Sequence, residues 1–282
     1  MKGYFSNFSA AKSWNIPYLE AVLGNEVTEN SGDDITVFEQ NSRFNINGKK
    51  VHSCKITLPA SAVTVRNGMT VASPELLFLE LAGKLSIHRL ILLGLQLCSH
   101  PTREPSKAIT TKQKLTTFLG KTSGYWGHRK AERALKYVEN GSASIMESVA
   151  YMILSLPHIL GGYGLNGAVF NHEIRLKDDA QDQLEQNCCF VDIYYKKAKL
   201  AVEYESFTHH SRPSEQGKDL VRAEILKKQG IEVLHLSTIQ LYNRDACSNF
   251  AYNLAARLNK RMQIRTKKFE EMHTLLRTLL PK

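Results

Sequence analysis

Three carboxylates on two neighbouring β-like runs form the most chemically informative pattern in the sequence. The run over residues 190–195 carries Asp192, and the run over residues 200–206 carries Glu203 and Glu205. A short Lys-Lys-Ala link joins the two runs, which indicates a β-hairpin. Because side chains alternate faces along a strand, Glu203 and Glu205 share one face, where Asp192 can join them. Clustered carboxylates repel one another unless a cation neutralises them, and oxygen-only ligands favour Mg²⁺ or Mn²⁺ over zinc.

Further residues of chemical interest stand before and after these carboxylates in a fixed order. With the carboxylates included, the set in chain order is Ser144, Glu147, Asp192, Glu203, Glu205, His209, Asp219, Arg222, Leu226, Gly230 and Thr238. As an ordered set over residues 140–245, it resembles the PD-(D/E)xK superfamily of restriction-endonuclease-like nucleases. It is most similar to the very-short-patch-repair-like endonuclease domains of the domain-of-unknown-function-559 type.

The resemblance implies an α/β fold in two parts. Residues 141–282 would form a restriction-endonuclease-like central mixed sheet flanked by helices. Residues 1–140 would form a smaller mixed α/β domain that recognises nucleic acid or a partner. The chain's own pattern also places a boundary near 140, where Asn140-Gly141 ends a predicted helix. Residues 70–140, with Ser73-Pro74 at a helix start, are similar to the region upstream of such domains in abortive-infection AbiEi-type proteins.

The resemblance also implies a mechanism, which is metal-assisted hydrolysis of DNA phosphodiester bonds. Asp192 and Glu203 would hold Mg²⁺ or Mn²⁺, and Glu205 would be a further ligand or would orient the attacking water. A bound metal ion lowers the pKa of that water and offsets the charge that develops on the phosphate. Glu147 would reach the metal or the water from its helix, and His209 would contact the phosphate or transfer a proton.

Each assignment has an alternative in the sequence itself. Glu205 stands where the superfamily usually has a lysine, a change that also suits a DNA-binding regulator that has lost cleavage. A repair nickase that acts at mismatches is a third alternative with the same chemistry. Glu147 belongs to a Ser-x-x-Glu capping box, so it can be purely structural. His209 can be an ordinary loop histidine, and Asp219 and Arg222 can form an ion pair within one helix.

The distribution of charge favours a polyanionic partner. The 282-residue chain has a formal charge of +10. Residues 101–136 hold nine basic and two acidic residues, and residues 253–282 hold eight basic and two acidic residues. Such blocks bind phosphate backbones or form solvated helix faces. The acidic cluster between the two blocks tilts the interpretation towards DNA.

The residues expected to contact DNA are basic and lie in both halves of the chain. They are Arg129, Lys130, Arg133, Lys218 and Arg222. Trp126 precedes the first three and can stack on a base, although burial is the commoner role of a tryptophan at a helix start. A cognate regulatory or antitoxin protein and a second copy of the chain complete the expected partners, in host defence or a toxin–antitoxin-like system.

Composition excludes other classes of protein. Five cysteines without metal-type spacing indicate reduced thiols and a cytoplasmic location. The most apolar stretch, residues 76–98, contains Glu80, Lys84, His88 and Arg89, so it is not an uninterrupted membrane span. The first residues show no apolar region typical of a secretion signal.

The elements that must position these residues follow from hydrophobic periodicity and from cap and turn signals. Helices are predicted over residues 14–23, 73–98, 111–119, 128–139, 144–156, 218–229 and 247–280. Strands are predicted over residues 35–38, 51–58, 168–176, 188–195, 199–205 and 231–236. Asn-Gly pairs at 47–48 and 67–68 predict tight turns.

Overall fold

The chain divides into two compact units, each a mixed β-sheet flanked by helices. The computed structural model describes residues 3–24, 33–38, 49–54, 56–101, 103–176, 186–205 and 213–281, with the backbone alone at Lys49 and over 213–220. The first unit comprises Met1–His100 and Glu104–Asn140, and the second comprises Pro101–Arg103 and Gly141–Lys282. The coarse prediction of a mixed α/β protein is therefore confirmed.

The first unit contains a five-stranded sheet in the order β3-β2-β1-β5-β4. Its strands are β1 Gly3–Phe5, β2 Asp33–Val37, β3 Lys49–Ser53, β4 Val63–Arg66 and β5 Met69–Ala72. β1 pairs antiparallel with β2 and parallel with β5, and β2 pairs parallel with β3. β4 and β5 form a hairpin whose turn residues Asn67 and Gly68 both have positive φ, as the Asn-Gly signal predicts.

Six α-helices among the described residues accompany this sheet. They are α1 Asn7–Ser13, α2 Leu19–Leu23, α3 Pro74–Ala82, α4 Ile87–Leu97, α5 Lys112–Leu119 and α6 His128–Leu135. α3 begins as predicted, because Ser73 Oγ accepts the N–H of Leu76 and Pro74 takes the first helical position. The apolar stretch 76–98 is almost entirely buried, so it forms the core of this unit. Within the described residues, no helix has the length and apolar character needed to cross a membrane.

The predicted helix over residues 14–23 is wrong in extent. α1 ends before Trp14, and α2 begins only after Tyr18. Asn15 and Tyr18 both have left-handed backbone, with φ of 50° and 54°, which an α-helix does not accommodate. Pro17 between them has no N–H to donate.

The second unit contains a four-stranded sheet in the order β6-β7-β8-β9. Its strands are β6 Val169–Arg175, β7 Cys188–Tyr195, β8 Leu200–Glu205 and β9 Glu232–Ser237. The first three run antiparallel, and β9 runs parallel to β8. Parallel neighbours need a crossover connection, which α8 (Pro213–Lys228) supplies. Ile193 pairs with Val202, so one step further along the register Asp192 stands opposite Glu203.

The other helices of the second unit are α7 Ile145–Ser155, α9 Thr238–Tyr242, α10 Arg244–Arg257 and α11 Phe269–Arg277. The prediction of one basic helix over 247–280 is wrong, because α10 and α11 are separate. Asn259 has a left-handed φ of 51°, and the N–H of Lys260 returns to the carbonyl of Ala255, which ends α10.

One apolar cluster fixes α8 against the sheet. Ala201 of β8 packs with Ile225 and Leu226 of α8 in this buried cluster. Glu203 lies two residues after Ala201 and therefore on the same face of the strand. Arg222 lies one turn before Leu226 and therefore on the same face of the helix. Burial of apolar side chains thus brings a carboxylate and a guanidinium together.

Candidate active site

Asp192 and Glu203 lie side by side on adjacent strands and are both largely buried. Asp192 is only 8% exposed, and its Oδ2 accepts the backbone N–H of Tyr204 at 2.9 Å. Burial raises the pKa of Asp192. Burial, and then the charge of Asp192, raise the pKa of Glu203 well above its ordinary range. The pair is therefore poised to take up a proton or a cation.

Glu147 is a third carboxylate in the same cluster. It is 6% exposed, and its pKa is raised first by burial and then by Asp192. Ser144 Oγ accepts the N–H of Glu147 at 3.1 Å, so the predicted cap exists. The Glu147 carboxylate, however, accepts the N–H of Ala143 at 2.9 Å rather than that of Ser144. The predicted cap at Ser144 therefore exists, and the Glu147 carboxylate also lies near enough to Asp192 for the charge of Asp192 to raise its pKa.

Asn171 on β6 contacts the Glu147 carboxylate. Its Nδ2 donates to Glu147 Oε2 and to the carbonyl of Gly141, both at 2.8 Å. These two acceptors fix the orientation of the amide. The buried Oδ1 then has no hydrogen-bond partner among the described residues. A buried oxygen without a donor is a group that a cation or a water can satisfy.

Two arginines supply positive charge to the cluster. Arg222 donates to Glu203 Oε1 at 2.8 Å and also to the carbonyl of Phe190. Arg103 Nη2 lies 3.7 Å from Asp192 Oδ1, with its guanidinium 5.7 Å from the centre of the Phe190 ring. Arg222 is thus bound to a carboxylate on another element, and its predicted contact with DNA stays a prediction. The side chain of Asp219, its alternative partner within the helix, lies outside the described residues.

Glu205 is paired with a histidine of the neighbouring strand. Its Oε1 lies 2.6 Å from Nδ1 of His235 on the neighbouring strand β9. In the described part of the chain, no three His, Cys, Asp or Glu residues are grouped as metal ligands would be. The predicted ligand set of Asp192, Glu203 and Glu205 therefore stays a prediction. His209, the fifth predicted catalytic residue, lies outside the described residues.

The residues of the cluster have the donor chemistry that a hard cation such as Mg²⁺ or Mn²⁺ would need, although the described residues form no complete ligand set. Asp192 and Glu203 stand opposite each other on adjacent strands and carry carboxylate oxygens. Glu147 is close enough to Asp192 for their charges to interact, and the buried Oδ1 of Asn171 has no partner among the described residues. Oxygen-rich sites of this kind suit Mg²⁺ and Mn²⁺ rather than softer metals. Sequence reasoning identified the three acids but missed Asn171 and Arg103, which have no motif to mark them.

The predicted DNA contacts of the first unit lie on α6. Arg129 and Arg133 are exposed, whereas Lys130 is half-buried and donates to the carbonyl of Leu85. The preferred prediction for Trp126 is wrong, because its side chain is 69% exposed rather than buried. The side chain of Lys218, the remaining predicted contact, lies outside the described residues.

In the second unit, Glu147, Asp192 and Glu203 thus lie with Arg103 and Arg222 in one partly buried cluster of acids and arginines. Comparison of the chain with models of protein families, with curated proteins and with solved structures gives no match, so the functional argument depends on this cluster.

Proposed function

We propose that the chain is a metal-dependent endonuclease that hydrolyses phosphodiester bonds in DNA. The observation that carries the proposal is the buried cluster of Glu147, Asp192 and Glu203 with Arg222 bound to one of its members. Buried acids that are incompletely neutralised destabilise a fold, so they are retained where they have a use. The mixed sheet with α7 and α8 against it has the coarse arrangement expected of a restriction-endonuclease-like domain, which is the finer fold that we propose.

Each residue of the cluster has a definite role in the proposed reaction. Asp192 and Glu203 would hold Mg²⁺ or Mn²⁺, which when bound activates water and neutralises charge on the phosphate. Glu147, whose raised pKa favours proton uptake near neutral pH, accepts a proton from the attacking water. Arg222 neutralises Glu203 and directs its remaining N–H groups to a phosphate oxygen. The superfamily usually has a lysine at the position that Glu205 occupies here. In this chain, Arg222 of α8 would supply the positive charge of that lysine.

The proposal has a direct test on supercoiled plasmid DNA. Wild-type protein is incubated with Mg²⁺, with Mn²⁺ or with EDTA, and nicked and linear products are separated on a gel. We expect metal-dependent cutting that falls by at least 100-fold in Glu203→Gln. Glu173→Gln is the matched control, because Glu173 is an exposed glutamate on the same sheet. Equal cutting by wild type and Glu203→Gln would exclude the cluster as the catalytic centre.

A second candidate function is a DNA-binding regulator without cleavage. The observation in its favour is that Glu203 and Glu205 are each already paired with a side chain of the protein, Arg222 and His235 respectively. A regulator of this kind would bind DNA with a steep dependence on salt and leave the plasmid intact at every metal concentration. For either function the proposed setting is cytoplasmic, in host defence or a toxin–antitoxin-like system, with a cognate protein or a second copy of the chain as further partners. A repair nickase would instead prefer mismatched duplex.

A further inference from the structure

Trp126 in the first unit is an exposed aromatic ring that lies close to a glycine. One side of the ring lies directly against the backbone of Gly83, where even a Cβ atom would overlap the ring carbons. Gly127 follows with a φ of 89°, and a Cβ there would collide with the backbone of Gly83. Two glycines thus allow this close approach, and the ring remains 69% exposed. An exposed indole ring offers a flat surface on which a planar ligand can stack.

Trp126 borders a cavity of about 340 Å³ with a buried carboxyl in its wall. That carboxyl is Glu80, whose Oε1 accepts the hydroxyl of Tyr4 at 3.0 Å and whose Oε2 accepts the N–H of Asn7 at 2.8 Å. Each carboxylate oxygen has a second lone pair, so Glu80 can still accept hydrogen bonds from a ligand. The cavity size is within the range of small-molecule sites.

The charges around the cavity disfavour a cationic ligand. Lys84 lies one helical turn after Glu80, lines the same cavity and has its ammonium group 5.8 Å from the centre of the Phe8 ring. Its positive charge offsets that of Glu80. Burial also raises the pKa of Glu80 to about 7, so the carboxyl is partly neutral at physiological pH. A flat, uncharged ring with N–H donors on its edge matches these features better than an amine does.

We propose that this cavity receives a nucleobase of unpaired DNA, stacked on Trp126 with its hydrogen-bonding edge at Glu80. This inference rests on the proposed nuclease function, and it gives the first unit the task of recognising single-stranded or extruded bases. α6 begins two residues after Trp126 and presents the exposed side chains of Arg129 and Arg133, which suit the adjoining phosphates. Stacking platforms combined with basic residues are the usual means of binding single strands.

The test compares two fluorescently labelled single strands of equal length, one with bases and one composed of abasic sites. The full chain is titrated with each in EDTA, so that the proposed nuclease cannot cut the probe. We expect the strand with bases to bind more tightly, and Trp126→Ala to reduce that binding by roughly 5- to 100-fold while abasic binding is unchanged. Tyr252→Ala, which removes an exposed aromatic ring of the second unit, is the matched control and should change neither.

A second variant tests recognition of the base edge. Glu80→Gln keeps the size of the side chain but adds N–H donors, so it should alter the preference among the four homopolymers. Circular dichroism and thermal melting check that both variants fold. Equal binding of the two strands, or normal binding by Trp126→Ala, would overturn the inference even if wild type cuts plasmid. Base-dependent binding without plasmid cutting would support the inference and remove only the nuclease proposal.

Discussion

The ion pair between Arg222 and Glu203 gives the most direct physical test of the cluster. Their nitrogen and oxygen lie 2.8 Å apart, and the two side chains are 28% and 13% exposed. Removal of one partner of a buried pair leaves an uncompensated charge and costs about 3–5 kcal/mol. Because Arg222 keeps some contact with solvent, we expect Arg222→Met to lower the free energy of unfolding by ~3 kcal/mol at alkaline pH. Urea denaturation followed by circular dichroism measures this difference.

The loss should depend on pH, because Glu203 can escape it by taking up a proton. Its pKa in the folded state is raised by burial and by Asp192. The stability that a carboxyl of raised pKa contributes is fully present below its unfolded pKa of about 4.3 and is lost as the pH rises through the folded pKa. Arg222 opposes that loss in the wild type. Arg222→Met removes a charge that lowers this pKa, so the variant should cost little at mildly acidic pH and reach its full cost only above the higher folded pKa of Glu203 in the variant.

Two further variants show whether the pair is responsible. Arg222→Met with Glu203→Gln removes both charges, and it should recover most of the lost stability at alkaline pH. Lys228→Met removes a cation from the same helix, but its partner Glu224 is exposed, so it should cost about 0.5 kcal/mol or less. The reasoning fails if Arg222→Met costs no more than Lys228→Met, or if its cost is the same at every pH.

Three other predictions follow from the same geometry. Mg²⁺ at a hundredfold excess over its dissociation constant should stabilise the wild type by about 2.7 kcal/mol in thermal melts, whereas Asp192→Asn should show little response. Glu147→Gln should keep the cap at Ser144. It should reduce the rate of plasmid cutting by a factor of about 10²–10⁴, because it removes the proposed base, and an unchanged rate would assign Glu147 to structure alone. Gly83→Ala should displace the Trp126 ring and shift tryptophan emission, at a cost of about 1–3 kcal/mol, and an unchanged spectrum would contradict the close packing.

The part of the site that depends on strand geometry could be predicted from the sequence. Two β-runs with a short polar link define a hairpin, and the alternation of side chains places Glu203 on a defined face opposite Asp192. The same reasoning assigned Glu205 to the cluster. Alternation fixes only the face of the strand, however, and the structure pairs Glu205 with His235 of the next strand. Which neighbouring side chain Glu205 contacts on that face depends on the tertiary structure, here on the position of β9.

The contacts that could not be predicted from the sequence join elements that are distant in the chain. Asn171 lies 24 positions from Glu147, and its left-handed φ of 41° has no local signature. Arg222 has a local alternative in Asp219, and only the packing of α8 on the sheet directs it to Glu203. Trp126, which is exposed, lies against Gly83, a residue 43 positions earlier in the chain. No periodicity within a helix encodes such pairs.

The charges of the cluster connect its fold to its proposed function. Among the described residues, three acids face two arginines, so one negative charge is left without a counterion when all the acids are ionised. Asp192→Asn should remove this excess and stabilise the protein at alkaline pH, since Asn Oδ1 can still accept the N–H of Tyr204. If Asp192→Asn also abolishes cutting, this single substitution raises stability and removes activity. Burial alone can explain a gain in stability, so it is the loss of cutting in the same variant that would mark the Asp192 carboxylate as kept for its chemistry.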